Sequence, residues 1–262
     1  NGDVRTRFST GILMSDTSEP KHIPRWLPPL LGMFIAIGPA ASDMYLPAFP
    51  SVEATFGTAP GTAQLTLAAW FAGLAVGQVT QGTLSDRFGR RRPLALGFAL
   101  FAVASYGCAL APSIGWLAVF RFVAAFGSSA GMVIARAVVR DLAEGQRAAI
   151  LMSRLMLVMG AAPILAPSIG GFVLIVASWR WIFAILATYG VVCSVLAWRV
   201  LPETLPVEKR LHLGLVAQLN RYRSILKERT FATHAAMGCG ATFCMFAYLG
   251  GSSPVFIQEI GR

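Results

Sequence analysis

The sequence predicts an all-α membrane protein, and three observations carry that prediction. Hydrophobic residues make up 55% of the 262 residues and charged ones only 13%, where a soluble domain carries about 25% charge. Uncharged runs long enough to cross a hydrocarbon core of about 30 Å, which takes roughly 20 helical residues, occur seven times. Of the 22 Lys and Arg residues, nineteen are dealt out to the N-terminal segment and to every second connection between those runs.

The predicted spans have cores at 27–47, 62–84, 93–111, 114–135, 155–177, 181–198 and 231–256. A polar segment, 1–25, precedes the first and has no apolar core of its own, so no separate signal peptide is expected. The stretch before Met14 reads as arbitrary sequence, so Met14 is expected to be the start or the chain to be a fragment. The second and fourth spans carry Gly73-x-x-x-Gly77 and Gly127-x-x-x-Gly131, small-residue faces that let helices pack closely. The third and fourth spans form one apolar stretch from Pro93 to Phe120, which the turn signal Ala111-Pro112-Ser113 divides. The fifth, "GAAPILAPSIGG", holds Gly160, Pro163, Pro167, Gly170 and Gly171; its prolines remove helix hydrogen bonds and its glycines admit neighbouring backbones. A basic segment, 201–230, separates the sixth span from the seventh.

With the N-terminus in the cytoplasm, nineteen of the 22 basic residues fall on the inside. Arg180 and Arg262 fall outside and Arg121 within a span, so the positive-inside rule places both termini. That alternation also excludes nucleic acid as the partner, because no single face gathers the charge. The cysteines Cys108, Cys193, Cys239 and Cys244 all lie in predicted spans without metal-ligand spacing and read as small apolar fillers. Of the histidines, His22 and His212 fall in cytoplasmic segments, and His234 is a weak candidate for proton handling. No catalytic triad, phosphate loop or paired-carboxylate site is present, so neither an enzyme nor a metal or organic cofactor is expected.

The stretch "GTLSDRFGRRRP", residues 82–93, concentrates charge between the second and third spans. Gly89 permits a tight turn between two helices, and Asp86 and Arg90 stand at i,i+4, where they can pair. A bare positive-inside loop explains the arginines but not Gly82, Asp86 and Gly89. Gly82, Leu84, Asp86, Arg87, Gly89, Arg90, Arg91 and Leu94 together resemble the signature of the major facilitator superfamily. The resemblance implies a cytoplasmic gate in which the aspartate faces a helix N-terminus in the other half of the transporter. It also implies that an arginine reaches an acid after the fourth span, matched here by Asp141 of "VVRDL".

"SDMYLPAFP" (42–50), "RFVAAFGSSAGMVIARAVVRDL" (121–142), "APILAPSIGG" (162–171) and "LPETL" (201–205) narrow the likeness to Bcr/CflA-type drug exporters. Members have twelve helices in two halves, each a pair of inverted three-helix repeats. The chain then comprises a six-helix N-terminal bundle at 26–200, an interdomain linker at 201–230 and the first helix of a second half at 231–262. The C-terminal part of the twelve-helix fold is absent from it. The resemblance implies export of small drug-like compounds across the bacterial inner membrane, with the proton gradient as energy source, no cofactor, the lipid bilayer as surroundings and a monomer when full length. An importer or metabolite facilitator of the same fold, and a truncated membrane protein without transport activity, remain open as alternatives.

Asp43 is the sole acidic residue inside a predicted span, where a carboxylate costs roughly 2.5–3.5 kcal/mol on insertion scales and therefore needs a reason. Arg121 is the comparable base and reaches a similar depth in the outer half. The two are expected to pair or share a cavity. A structural salt bridge is the plainer alternative to a proton-coupling device, and the resemblance implies the device. Ala124 stands where relatives often carry Gln, and Ala166-Pro167 replaces the usual Gly-Pro of the antiporter pattern on the fifth span. Tyr45, Trp70, Phe71 and Tyr106 are candidates for lining a cavity, against the more usual fate of packed or lipid-facing aromatics.

Overall fold

Pro28 and Pro29 start α1, Leu27–Asp43, where missing N–H groups cost nothing. A short 3-10 turn, Leu46–Ala48, and α2, Phe49–Phe56, continue it, and Gly57 in the left-handed region ends the run. The computed structural model describes residues 24–210 and 223–255, with backbone alone for 209 and 245–255. Residues 1–23 with His22, 211–222 with His212, and 256–262 with Arg262 lie outside the described residues.

Five long helices follow: α3, Gln64–Phe88; α4, Arg91–Ala109; α5, Ile114–Leu142; α6, Gly145–Val176; and α7, Arg180–Arg199. Ser113 caps α5 by accepting from the Trp116 N–H, at the turn that separates the third and fourth predicted spans. α6 stays helical through Pro163 and Pro167. Each predicted span thus corresponds to a helix. Among the described residues, five helical stretches can cross a membrane by length and composition: Leu27–Phe56, α4, α5, α6 and α7. α3 is 25 residues long but less apolar, because its buried stripe runs Thr66, Trp70, Gly73, Gly77, Gln81, Ser85.

These helices form one compact unit that extends to Arg210. Helix α3 packs along α5 and α1 along α6, α4 packs on α5 and α1 on α7, and α4 also meets α7 and α1 meets α5, with lesser contacts of α3 with α4 and of α6 with α5 and α7. Exchanging α1, α3, α4 for α5, α6, α7 maps the first six of these pairs onto themselves, which is the contact pattern of two three-helix repeats. The outer faces are apolar: Leu96, Val103, Leu157, Ile164, Ile175 and Val191 are all more than half exposed. A contiguous apolar exterior of that kind is untenable in water and ordinary in lipid. The second compact unit, Leu211–Arg262, contains α8, Arg229–Val255, in which His234 Nδ1 lies 2.7 Å from the Thr230 carbonyl.

Glycines set the closest approaches. A Cβ on Gly73 would stand 2.2 Å from the Phe122 carbonyl oxygen, and one on Gly170 would stand 2.1 Å from that of Met44. Those carbonyls belong to the residues following Arg121 and Asp43, so α3 and α6 clamp the backbone on which the two charged side chains are mounted. Gly170→Val is expected to lower stability in detergent by about 1–3 kcal/mol through overpacking. Gly171→Ala is the control, because a Cβ there meets nothing within 4 Å. Equal melting temperatures for the two variants would show that the α1–α6 contact is loose.

Candidate functional site

Two clusters of charge stand at separate levels of the bundle. The first is built around the α3–α4 turn. Gly89 has φ +88°, and a Cβ there would lie 2.3 Å from Glu203 Oε2, so both backbone and space require glycine. The turn drives Arg90 inward to 7% exposure. Its Nη1 donates to Asp86 Oδ1 and to Ser85 Oγ at 2.8 Å, while Nε donates to Asp141 Oδ2 at 2.9 Å. Thr204 Oγ1 donates to the same Asp141 oxygen at 2.9 Å. Burial by itself would lower the pKa of Arg90, but the hydrogen bonds to Asp141 and Asp86 outweigh it and hold the value above the ordinary one.

Glu203 completes this cluster from the segment beyond α7. Its carboxylate accepts the backbone N–H of Arg90 at 2.7 Å and that of Arg91 at 3.3 Å. A carboxylate there satisfies orphan donors at the N-terminus of α4 and complements the helix dipole. Arg91 donates to the Trp198 carbonyl and lies over the Trp198 ring, 5.3 Å from its centroid. Arg87 stacks over Phe88, also at 5.3 Å, and a Cβ on Gly82 would make only ordinary contact with Val133. The structure therefore gathers Gly89, Asp86, Arg90, Arg91 and Asp141 with two residues that motif spacing does not reveal, Glu203 and Thr204. The available signal was an acid just after a span, in a segment of net positive charge.

The second cluster surrounds Arg121, which is 1% exposed on α5. Its guanidinium carbon lies 4.5 Å from the Tyr45 ring centroid, 4.6 Å from that of Trp70 and 5.8 Å from that of Phe183. Nη1 donates to the Ala41 carbonyl at 2.7 Å, so the cation caps the last turn of α1, where the helix dipole favours it. The Tyr45 hydroxyl donates to Thr66 Oγ1 at 3.0 Å, since the Thr66 proton goes to the Ala63 carbonyl. Asp43 is half-buried two residues beyond Ala41 and accepts from Ser42 Oγ at 2.7 Å. It forms no ion pair with Arg121: among the described residues the pairs within 4.0 Å are Arg90–Asp86, Arg90–Asp141 and Arg210–Glu203. Cation–π contacts and a carbonyl replace the carboxylate that the sequence suggests as partner.

Of the other candidates, Tyr45 and Trp70 are sealed against Arg121, Phe71 is half-buried on α3, and Tyr106 is 58% exposed on α4. On α6, Gly170 faces α1, Gly160 and Pro163 are exposed, and Pro167 and Gly171 are half-buried. A depression of about 460 Å³ between α2, α6 and α7 is lined by Pro47, Thr55, Trp179 and Arg180 among others, and it includes neither Asp43 nor Arg121.

The paired repeats, the apolar exterior and the buried charge at two levels define a multi-pass α-helical membrane protein. The chain belongs to the Major Facilitator Superfamily, whose profile matches residues 30–261. It is 39% identical over 233 residues to the uncharacterized MFS-type transporter YdgK of Bacillus subtilis, covering 88% of this chain and 58% of that one. It is 37% identical to a chloramphenicol resistance protein of Pseudomonas aeruginosa over 67% of this chain and 42% of that one. A bicyclomycin resistance protein homolog of Haemophilus influenzae is 29% identical over 88% and 58%. The chain therefore spans 42–58% of the length of these relatives. Among solved structures, an inward-facing, unoccupied bacterial homolog of the human lysosomal transporter Spinster superposes with a TM-score of 0.68 at 16% identity, covering 90% of this chain and 56% of that one. The proton:xylose symporter XylE gives 0.62 at 15% identity, over 88% and 55%. These likenesses establish the fold.

Proposed function

We propose that the protein is a Bcr/CflA-type antiporter that exports small amphipathic compounds across the bacterial inner membrane in exchange for protons. The observation that carries the coupling is Asp43, a carboxylate in a helix of apolar composition, half-buried, outside any ion pair of 4.0 Å or less and beside the caged Arg121. A group so placed can take and release a proton as the cavity opens to either side. The cargo class is supported by relatives named for resistance to bicyclomycin, to chloramphenicol and to multiple drugs. The proposal is for a transporter with a second six-helix half, against which this half rocks in alternating access. The cluster at Arg90 is then the cytoplasmic gate, with the N-terminus inside and α8 running outward.

Everted membrane vesicles test this reading. An imposed pH gradient, acid inside the vesicle, is expected to drive chloramphenicol into it, and a protonophore to abolish the uptake. Gradient-driven uptake by right-side-out cells instead would establish an importer.

A further inference from the structure

Three donor nitrogens at the Arg121 cage are sealed from solvent without a partner among the described residues: Nε and Nη2 of Arg121 and Nε1 of Trp70. They sit close together, because the guanidinium stacks 4.6 Å from the Trp70 ring centroid. All three can only donate, and buried donors are nearly always satisfied. The Asp43 carboxylate lies beyond ion-pair distance of them. Facing groups on the packed elements are the Tyr45 hydroxyl, committed to Thr66, the ring of Phe183 and the buried Cys108 thiol of α4, a weak acceptor that hydrogen-bonds to none of the three. The missing partner is therefore an acceptor that the described residues do not supply.

The aromatic walls sharpen the point. A cage of Tyr45, Trp70 and Phe183 is suited to an organic cation, yet it is already filled by the protein's own guanidinium. A cationic compound would meet an occupied cage and a like charge.

We infer that Arg121 and Trp70 form a hydrogen-bond donor site that takes an acceptor from an uncharged or anionic oxygen-bearing group, or a small inorganic anion, and rejects cations. The inference deepens the export reading and rests on it for the exported compound as occupant. Tyr45, which stacks on the guanidinium, is held to α3 by its bond to Thr66.

Calorimetric titration of the purified protein in detergent tests the site. The probes are chloramphenicol, uncharged with nitro and amide acceptors; tetraphenylphosphonium, a cation without acceptors; and chloride titrated into gluconate buffer. Trp70→Phe deletes one donor and keeps an aromatic face over the guanidinium, and Arg121→Lys keeps the charge and loses the planar fork. At least one acceptor probe is expected to bind the wild type, and each variant to weaken it five-fold or more while thermal stability under Trp70→Phe changes little. Chloride that competes with chloramphenicol puts both in this site, and chloride binding that chloramphenicol leaves untouched makes the occupant the inorganic anion. Absence of binding by both acceptor probes, unchanged affinity in both variants, or competition by tetraphenylphosphonium overturns the site. Failure of the vesicle assay with acceptor binding intact would instead count against export alone.

Discussion

Arg90→Gln is expected to abolish export and destabilise the first six helices, whereas Arg92→Gln is expected to leave both at the wild-type level. Arg90 is the hub of its cluster: one side chain holds Asp86 on α3, Asp141 at the end of α5 and the Ser85 hydroxyl, from the start of α4. Removing it leaves two carboxylates without their counter-charge. Breaking a buried pair in this way costs about 3–5 kcal/mol. Because the Asp86 side chain is 41% exposed, solvent screening discounts the loss to about 2–3 kcal/mol. Arg92 is exposed and makes no ion pair among the described residues, so its replacement touches only the topogenic charge. Asp86→Asn should fall between the two, since Arg90 keeps Asp141. Thermal unfolding in detergent and export at matched protein levels provide the readouts. Wild-type export by Arg90→Gln would reduce the motif to a loop that merely sets topology.

The sign of the pH dependence can be stated for this cluster. The native value of Arg90 is raised, so its contribution is complete below the ordinary arginine range and is lost only as pH rises through that elevated value. That window lies far above working pH. Arg90 therefore keeps its charge at working pH.

The seven helices were readable because bilayer thickness dictates run length, and polar interruptions such as Ala111-Pro112-Ser113 mark where a run must fold back. The Asp86–Arg90 contact was readable too, since i,i+4 spacing places two side chains on one helical face regardless of what surrounds them. Glu203 was not: it reaches Arg90 across 113 residues of sequence, and nothing local says that a carboxylate after α7 will cap α4. The cage around Arg121 was hidden for the same reason. Tyr45, Trp70 and Phe183 come from three helical regions, and a charge pattern suggests a carboxylate as partner, because aromatic faces and a helix-end carbonyl leave no periodic trace. Small residues carried more information, for Gly73 and Gly77 forecast the close seam along which α3 meets α5.

Asp43→Asn is expected to eliminate proton-driven export and the pH dependence of substrate binding while leaving the fold in place. The structure explains why the protein should survive the change: Asp43 breaks no ion pair when replaced, and an amide oxygen can still accept from Ser42, as the carboxylate does at 2.7 Å. What disappears is the titratable proton. If substrate and proton compete for this carboxylate, wild-type affinity for substrate falls as the pH is lowered through its titration, by about tenfold per unit once the protonated form dominates. The Asn variant mimics neither charge nor titration, so its affinity should stay flat across the same range. Arg121 is expected to keep its cage in the variant, because its contacts are to Ala41, Tyr45, Trp70 and Phe183. Titrating substrate binding against pH for both proteins is thus the decisive comparison, and a profile that persists in the Asn variant would move the proton site away from α1, to a group outside this helix.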